Sequence, residues 1–197
     1  NSYFKDEITK IKNNDLIIEK DGAIRPNTSQ DILRSLRLVF DESGTVTAGT
    51  ASPLTDGASA TLICNEEYAK KNNLEILAKI VSTAVNGCSP ELMGLGPIGA
   101  SIKALKRANL TIKDIDIIEL NEAFASQSLA CIKDLNIDPN IVNIDGGAIA
   151  LGHPLGATGS RITAKAAQLL IREKKKYALS TQCIGLGQGI ATILESY

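Results

Sequence analysis

Tryptophan is absent from the 197 residues, and the whole aromatic content is 4%. That scarcity excludes a surface that holds single-stranded nucleic acid by stacking its bases. Blocks of like charge are also missing, and 21 Lys+Arg against 22 Asp+Glu leave a formal charge of −1. No part of the chain is therefore built to neutralise a phosphate backbone or an anionic membrane. No apolar run reaches the length needed to cross a bilayer, and the first residues do not read as a secretory signal. Asn1 in place of an initiator Met reads as the middle of a longer chain. Four cysteines, Cys64, Cys88, Cys131 and Cys183, lack C-x-x-C spacing, and with one histidine they do not make a zinc site. The expectation is no metal and a reduced, cytoplasmic setting. No G-x-G-x-x-G follows a first strand and no P-loop lysine occurs, which counts against a generic nucleotide-binding protein. Hydrophobic residues make up 44%, enough for one or two compact domains with a core.

What is present is concentrated. Five of the sixteen glycines fall within 143–161, N-I-D-G-G-A-I-A-L-G-H-P-L-G-A-T-G-S-R, around the single histidine. This stretch reads as a short strand, a Gly-rich loop and a helix. Gly146 and Gly147 remove side-chain bulk where another group comes close to the backbone. Gly152, Pro154, Gly156 and Gly159 shape a loop that holds His153 in one place. A lone histidine in a polar loop is usually a surface residue. One clasped in this way is a candidate for proton transfer, because imidazole titrates near neutrality. Near the end of the chain, T-Q-C-I-G-L-G-Q-G at 181–189 puts Cys183 where a strand meets a second Gly-rich turn. A buried cysteine is most often an inert small hydrophobe. Glycines after it let backbone N–H groups point at a ligand oxygen. A third stretch, N-E-A-F at 121–124, follows the apolar run 115–120 and opens a helix. Asn121 then sits at the C-terminal end of a strand, where α/β folds keep their active sites.

Periodicity predicts strands at 16–19, 58–64, 76–85, 115–120, 141–144, 177–181 and 190–195. Helices are predicted from a cap at Thr28 or Ser29 through Leu36, from Asn65 over 66–71, from Pro97 onward, over 123–135 and over 162–174. Ile32, Leu33 and Leu36 supply the buried face of the first helix. Ile98, Ile102 and Leu105 face the sheet from the third, and Ala125, Leu129 and Ile132 share a face of the fourth. The last two strands, joined by a short turn, are antiparallel. The fold class is α/β, with a mixed five-stranded sheet flanked by helices.

In this order, N-E-A-F, G-G-A-I-A-L-G-H-P-L-G-A-T-G and C-I-G-L-G-Q-G resemble the thiolases, nearest in type to the acetyl-CoA acetyltransferases. The likeness extends upstream to G-T-V-T-A-G at 44–49 and D-G-A at 56–58. It implies a thiolase-like layered fold of two duplicated halves, with only the C-terminal portion here. Residues 1–48 are then the remnant of a loop domain that covers CoA, 49–72 the last strand and helix of the N-terminal half, and 73–197 the C-terminal domain. The resemblance implies Claisen condensation of two acetyl-CoA to acetoacetyl-CoA and CoA, or the reverse thiolysis, with CoA thioesters as substrates and no further cofactor. It implies that His153 activates a thiol and then hydrogen-bonds a thioester oxygen. Cys183 is the acid/base, its pKa lowered by neighbours. Asn121 holds a water beside His153 in one oxyanion hole, and the Gly185 amide serves a second. Arg25 and Phe40 match positions near the nucleotide end of CoA, Ser52 and Leu54 a loop along its pantetheine arm, and Met93, Ala123 and Phe124 the tunnel around it. Core packing is the other role open to Phe40, Leu54 and Met93, and a solvated surface charge is the other role open to Arg25.

The chain departs from the family pattern in places. Pro53, within S-P-L-T-D-G, leans toward the 3-ketoacyl-CoA thiolases of fatty-acid oxidation, whereas Asn121 leans back toward the acetyltransferases. The nucleophilic-cysteine motif of the family's N-terminal half is not found. Cys64 ends a predicted strand, Cys88 lies in a loop and Cys131 in a helix, and all three read as structural. The expectation is a catalytic half completed by the missing N-terminal half, in a homotetramer or dimer, and inactive alone. A non-catalytic acyl-CoA-binding or assembly module is the alternative from a different class. Residues 58–64, a strand of the other half in the family, are expected to lack most of their sheet.

Overall fold

Five of the eight residues of the strand Tyr177–Ile184 are buried, and four of them in succession, so both faces of the strand are covered and helices must lie on two sides. The computed structural model describes residues 3–197, and they do. In chain order the elements are a hairpin of β1 (Ile11–Asn13) and β2 (Leu16–Ile18), α1 (Gln30–Ser35), α2 (Glu66–Lys71), β3 (Ala78–Gly87), α3 (Gly96–Ala108), β4 (Ile117–Leu120), α4 (Ala125–Asp134), α5 (Ala148–Leu151), α6 (Leu155–Glu173), β5 (Tyr177–Ile184) and β6 (Gln188–Ser196). The main sheet has the order β3-β6-β5-β4. β5 pairs with β4 in parallel and with β6 antiparallel, so the sheet is mixed. Ile118, Leu120, Leu179, Ala191 and Ile193 pack toward α3 and α4. Ile117, Ala178 and Leu194 pack toward Ala166, Leu169 and Leu170 of α6. Among the described residues, no helix is long and apolar enough to cross a membrane.

The sheet has four strands where five were expected. Residues 141–144 form only a single bridge, Ile118 to Val142. A turn at Pro139–Ile141 leads in, and Asn143 adopts φ 46°. Its amide side chain then does what a strand's peptide would do. Leu120 N–H donates to Asn143 Oδ1 at 2.9 Å, and Asn143 Nδ2 donates to the Leu120 carbonyl at 2.8 Å. Side chains also occupy the outer edge of β3. Lys103 Nζ donates to the Val85 carbonyl at 3.1 Å, and Arg107 donates to the Thr83 carbonyl.

Residues 58–64, expected as a strand, have no ladder partner. They lie along α6 through side chains: Ser59 Oγ donates to the Ala157 carbonyl and Thr61 Oγ1 meets Ser160 Oγ, both at 2.7 Å. Leu62 and Ile63 are exposed. A strand requires a neighbour for its N–H and C=O groups, and sequence periodicity carries no information on whether one exists.

Several helix faces differ from the periodic expectation. α3 buries Pro97, Ala100, Ser101, Ala104 and Leu105, while Ile102 is exposed. The cause is close packing. A Cβ on Gly189 would lie 2.1 Å from the Gly96 carbonyl carbon, so helix and strand backbones touch and only small residues fit between. Gly189→Ala is expected to force α3 off β6, at a cost of about 1–3 kcal/mol typical of overpacking, read as a lower Tm in thermal unfolding. On α4 the buried residues are Gln127, Ser128 and Cys131, and Leu129 is exposed. On α1 the cap is Ser29, and Ile32 is exposed, whereas Leu33 and Leu36 pack on Gly49. α6 begins seven residues before the expected 162, so Gly156 and Gly159 are helical rather than part of a loop. Pro154 at its N-cap fixes the start. Residues 3–48 are loop-rich as expected, apart from α1 and the unforeseen β1; Asn1 and Ser2 lie outside the described residues.

Candidate active site

β4 and β5 run in parallel with Leu120 opposite Thr181, so their C-terminal ends share one edge of the sheet. Asn121 follows β4 at that edge, its N–H donating to the Thr181 carbonyl at 3.0 Å. Cys183 lies two residues further along β5. His153 arrives from α6, whose Gly159 packs on Gln182 of β5. The sequence therefore delivers an amide, a thiol and an imidazole to one edge from three different elements.

His153 is held at both ends. Its N–H donates to Thr55 Oγ1 at 3.1 Å, and Gly152, at φ 104°, has no room for a Cβ beside Thr55. Its Nδ1 lies 2.6 Å from Thr158 Oγ1. That hydroxyl already donates its one proton to the Pro154 carbonyl at 3.0 Å. It must therefore accept from Nδ1–H, which leaves the Nε2 lone pair free. Burial first, and then the Arg161 guanidinium, hold the His153 pKa below its ordinary value. The group is thus a neutral base at physiological pH.

Asn121 is 1% exposed, and neither side-chain atom has a protein partner among the described residues. Leaving both buried and unmatched costs several kcal/mol in an apolar setting, so the amide is matched to something that enters the site. Its neighbour Glu122 is committed elsewhere. It accepts from Asn143 Nδ2 at 2.8 Å and from Ile149 N at 3.1 Å, at the start of α5. A Cβ on Gly147 would lie 2.2 Å from its carboxyl, which explains that glycine. Gly146 has open space and is there for its φ of 107°.

Cys183 is 8% exposed, and its pKa is raised rather than lowered. Burial is the main cause, and Cys88 adds to it. The expectation of neighbours that stabilise its thiolate is thus not met within these residues. Cys131 is fully buried, donates to the Gly94 carbonyl at 3.4 Å, and is pushed up to about 11, as an inert structural thiol is. Cys88 is partly buried and Cys64 exposed.

Of the expected substrate contacts, three are joined. Ser52 N–H donates to the Ala123 carbonyl at 3.0 Å, Ala51 bridges Phe124, and Ala125 N–H donates to the Thr50 carbonyl at 2.8 Å. That pairing also delays α4 to Ala125. Met93 is partly buried in the turn Pro90–Leu95, which packs on α4 through Gly94 and Gln127. Arg25 and Gly185 are exposed, the latter opening the β5–β6 turn. Phe40 is 76% and Leu54 105% exposed, so neither packs into a core among the described residues. A groove of about 540 Å³ lies away from all these residues, between 60–64, α2, β3 and α6. Sequence reasoning passed over Thr55, Thr158, Glu119, Glu122 and Arg161. A carboxylate inside the apolar run 115–120 was the available signal for Glu119.

Residues 74–196 match the family model described as thiolase, C-terminal domain, and residues 1–67 match thiolase, N-terminal domain. The chain is 54% identical over 182 residues to a 3-ketoacyl-CoA thiolase of Vibrio parahaemolyticus, covering 90% of this chain and 46% of that one. It is 52% identical over 201 residues to one of Shewanella loihica, covering 98% and 52%. Among solved structures it superposes on human mitochondrial 3-ketoacyl-CoA thiolase in complex with CoA with a TM-score of 0.92 at 46% identity, covering 100% of this chain and 50% of that one. It superposes on the Bacillus anthracis acetyl-CoA acetyltransferase with a TM-score of 0.94 at 38% identity, covering 100% and 51%. The chain thus spans about half the length of the curated relatives it matches.

Proposed function

The chain belongs to the thiolase family, and from that premise we propose that it supplies the proton-transfer and oxyanion groups of an acyl-CoA C-acyltransferase acting on 3-ketoacyl-CoA. The observation that carries this reading is the His153 imidazole, fixed by Thr158 with Nε2 free, together with a buried Asn121 amide that has no protein partner among the described residues. In thiolysis, a thiolate adds to the 3-keto carbon after His153 accepts its proton. The C2–C3 bond then breaks, and the electron pair passes to the acetyl-CoA enolate. Cys183 S–H returns a proton to C2, and the acyl group remains on the thiol until CoA sulfur takes it. Nε2 of His153, a water on Asn121 and the Gly185 amide stabilise the oxyanions. The raised Cys183 pKa favours its protonated form, which suits the cleavage direction. Ser52, Leu54, Met93, Ala123 and Phe124 line the acyl-pantetheine path, with Arg25 and Phe40 toward the nucleotide.

The names of the relatives favour 3-ketoacyl-CoA thiolysis over a preference for acetoacetyl-CoA. The nucleophile is supplied from outside these residues: Cys131 is sealed, Cys64 is exposed, and Cys88, though close to Cys183 at the β5–β6 turn, directs its Sγ at the Leu92 and Met93 carbonyls and has no base beside it among the described residues. Mixing this chain with a polypeptide carrying the N-terminal half of a relative is expected to give thiolysis of 3-ketoacyl-CoA longer than four carbons, followed as loss of the enolate absorbance. The chain alone is expected to show none. Turnover by the chain alone, or by the mixture on acetoacetyl-CoA only, would overturn this assignment.

A further inference from the structure

Charges on the α6 side of the sheet are sorted into two groups. Strand alternation turns Ile117 and Glu119 of β4 toward α6, and Glu119 stands opposite Ser180 of β5. Ser180 Oγ in turn lies 3.1 Å from Thr163 Oγ1 of α6. Below this row the contact is apolar, through Ile117, Ala178 and Ala166. Above it lie Asn121 and Gln182, at the edge that carries His153. Asp145 takes two cations: Lys165 at 2.5 Å, and Arg172 through both carboxylate oxygens at 2.5 and 2.8 Å. Glu7 also meets Lys165, at 2.6 Å.

Arg161 is outside that group. It forms no ion pair among the described residues, and its Nε is buried without a partner. It stands three residues beyond Thr158, on the same side of α6. The buried carboxyl on β4 does not quench it. Glu119 is 1% exposed, its Oε1 has no protein partner, and burial pushes it up to about 8. Arg161 and Lys165 of α6 act against that rise, while Asp145 and Glu7 add to it. Burial thus favours the protonated, uncharged form of Glu119. Arg161 is the charged group that bears on His153 among the described residues.

We propose that Arg161 is a positioning residue for His153: an uncompensated guanidinium one helical turn from the threonine that holds the imidazole, set there to keep the imidazole neutral and its Nε2 lone pair available. What a neutral imidazole is for rests on the acyl-transfer reading above. The electrostatic coupling itself does not.

The single histidine makes the test direct, because the Cε1–H of His153 gives one NMR resonance whose pH titration can be followed in the whole chain. Arg161→Gln is expected to raise the His153 midpoint, the direction that removal of a nearby positive charge gives. Arg161→Met, which keeps part of the aliphatic stem, takes its place if the glutamine variant does not fold by circular dichroism. Arg161→Lys is expected to keep the wild-type midpoint, and Glu119→Gln, a mimic of the protonated acid, to leave it unchanged. An unmoved midpoint in the neutral variants would overturn the proposal. So would a lysine variant that shifts as far as glutamine, which would make the effect one of packing. In the mixture with an N-terminal half, the acid limb of kcat/KM is expected to move with the NMR midpoint. If that mixture is inactive even as wild type, the acyl-transfer reading fails while the titration still decides the role of Arg161.

Discussion

Replacing His153 with alanine is expected to lower kcat of the complemented enzyme by about 10³-fold or more, with a much smaller change in KM. Two functions are lost together. Nε2 no longer accepts the thiol proton, and no donor remains at its place in the oxyanion hole. Steady-state thiolysis of a 3-ketoacyl-CoA checks this, and residual activity within tenfold of wild type would remove His153 from the mechanism. The pH profile carries a second signature. Burial and Arg161 hold the imidazole below its ordinary value, so the acid limb of kcat/KM is expected at a lower pH than an unperturbed histidine would give. Cys183→Ser, tested in the same assay, is expected to cost about 10²–10⁴-fold, because an alcohol is a far weaker acid than a thiol.

Asp145→Ala is expected to destabilise the fold by about 1.5–3 kcal/mol, because it leaves the buried Lys165 with Glu7 as its remaining carboxylate partner. The Lys165 and Asp145 side chains are each 2% exposed, and Arg172 adds a two-point contact to the same carboxylate. Phe4 stacks over Lys165 at 4.7 Å and Tyr3 over Arg172 at 4.5 Å, so the N-terminal segment rests on the same charges. Urea unfolding reads the loss as a lower midpoint with an unchanged slope. The sign with pH follows from the direction of the carboxyl's pKa, which the Arg172 hydrogen bond chiefly holds below its ordinary value. A depressed carboxyl contributes stability above its unfolded pKa and loses it as pH falls through the lower folded one. Wild type and variant are therefore expected to converge in strong acid. A gap that persists there would point to packing rather than charge.

The β5–β6 hairpin and the Asn65 and Ser29 caps could be read from local chemistry, because each depends on residues within a few positions of one another; the clasp on His153 was legible only in part, since Thr158 is five residues on but Thr55, which takes its N–H, lies 98 residues away. The errors came where a distant partner decides. Residues 58–64 have the composition of a strand and no sheet to join. Residues 141–144 have it too, but a side-chain amide takes the place of the ladder. The bulky aliphatics Ile102 and Leu129 fit a helical stripe and yet face outward; on α3 the close approach of Gly96 to Gly189 of β6 leaves room only for small residues on the face toward the sheet. In the site, Asn121, His153 and Cys183 announced themselves through motifs. Thr158 and Arg161 belong to the same stretch, but their roles depend on α6 beginning at Leu155, earlier than apolar periodicity indicates. Glu119 showed only as one charge among aliphatics.

The occupied edges of the main sheet also bear on how the protein behaves at high concentration. Outward carbonyls of β3 are taken by Lys103 and Arg107, and the backbone at the end of β4 by Asn143. A foreign strand finds neither rim of this sheet open, which is how natural β-proteins resist amyloid-like stacking. Residues 58–64 have no such guard, with Leu62 and Ile63 facing solvent. In the chain alone that segment is the unguarded one; in the complemented protein the N-terminal half, of which it is expected to be a strand, would cover it, so charged substitutions at Leu62 and Ile63 are expected to weaken complementation.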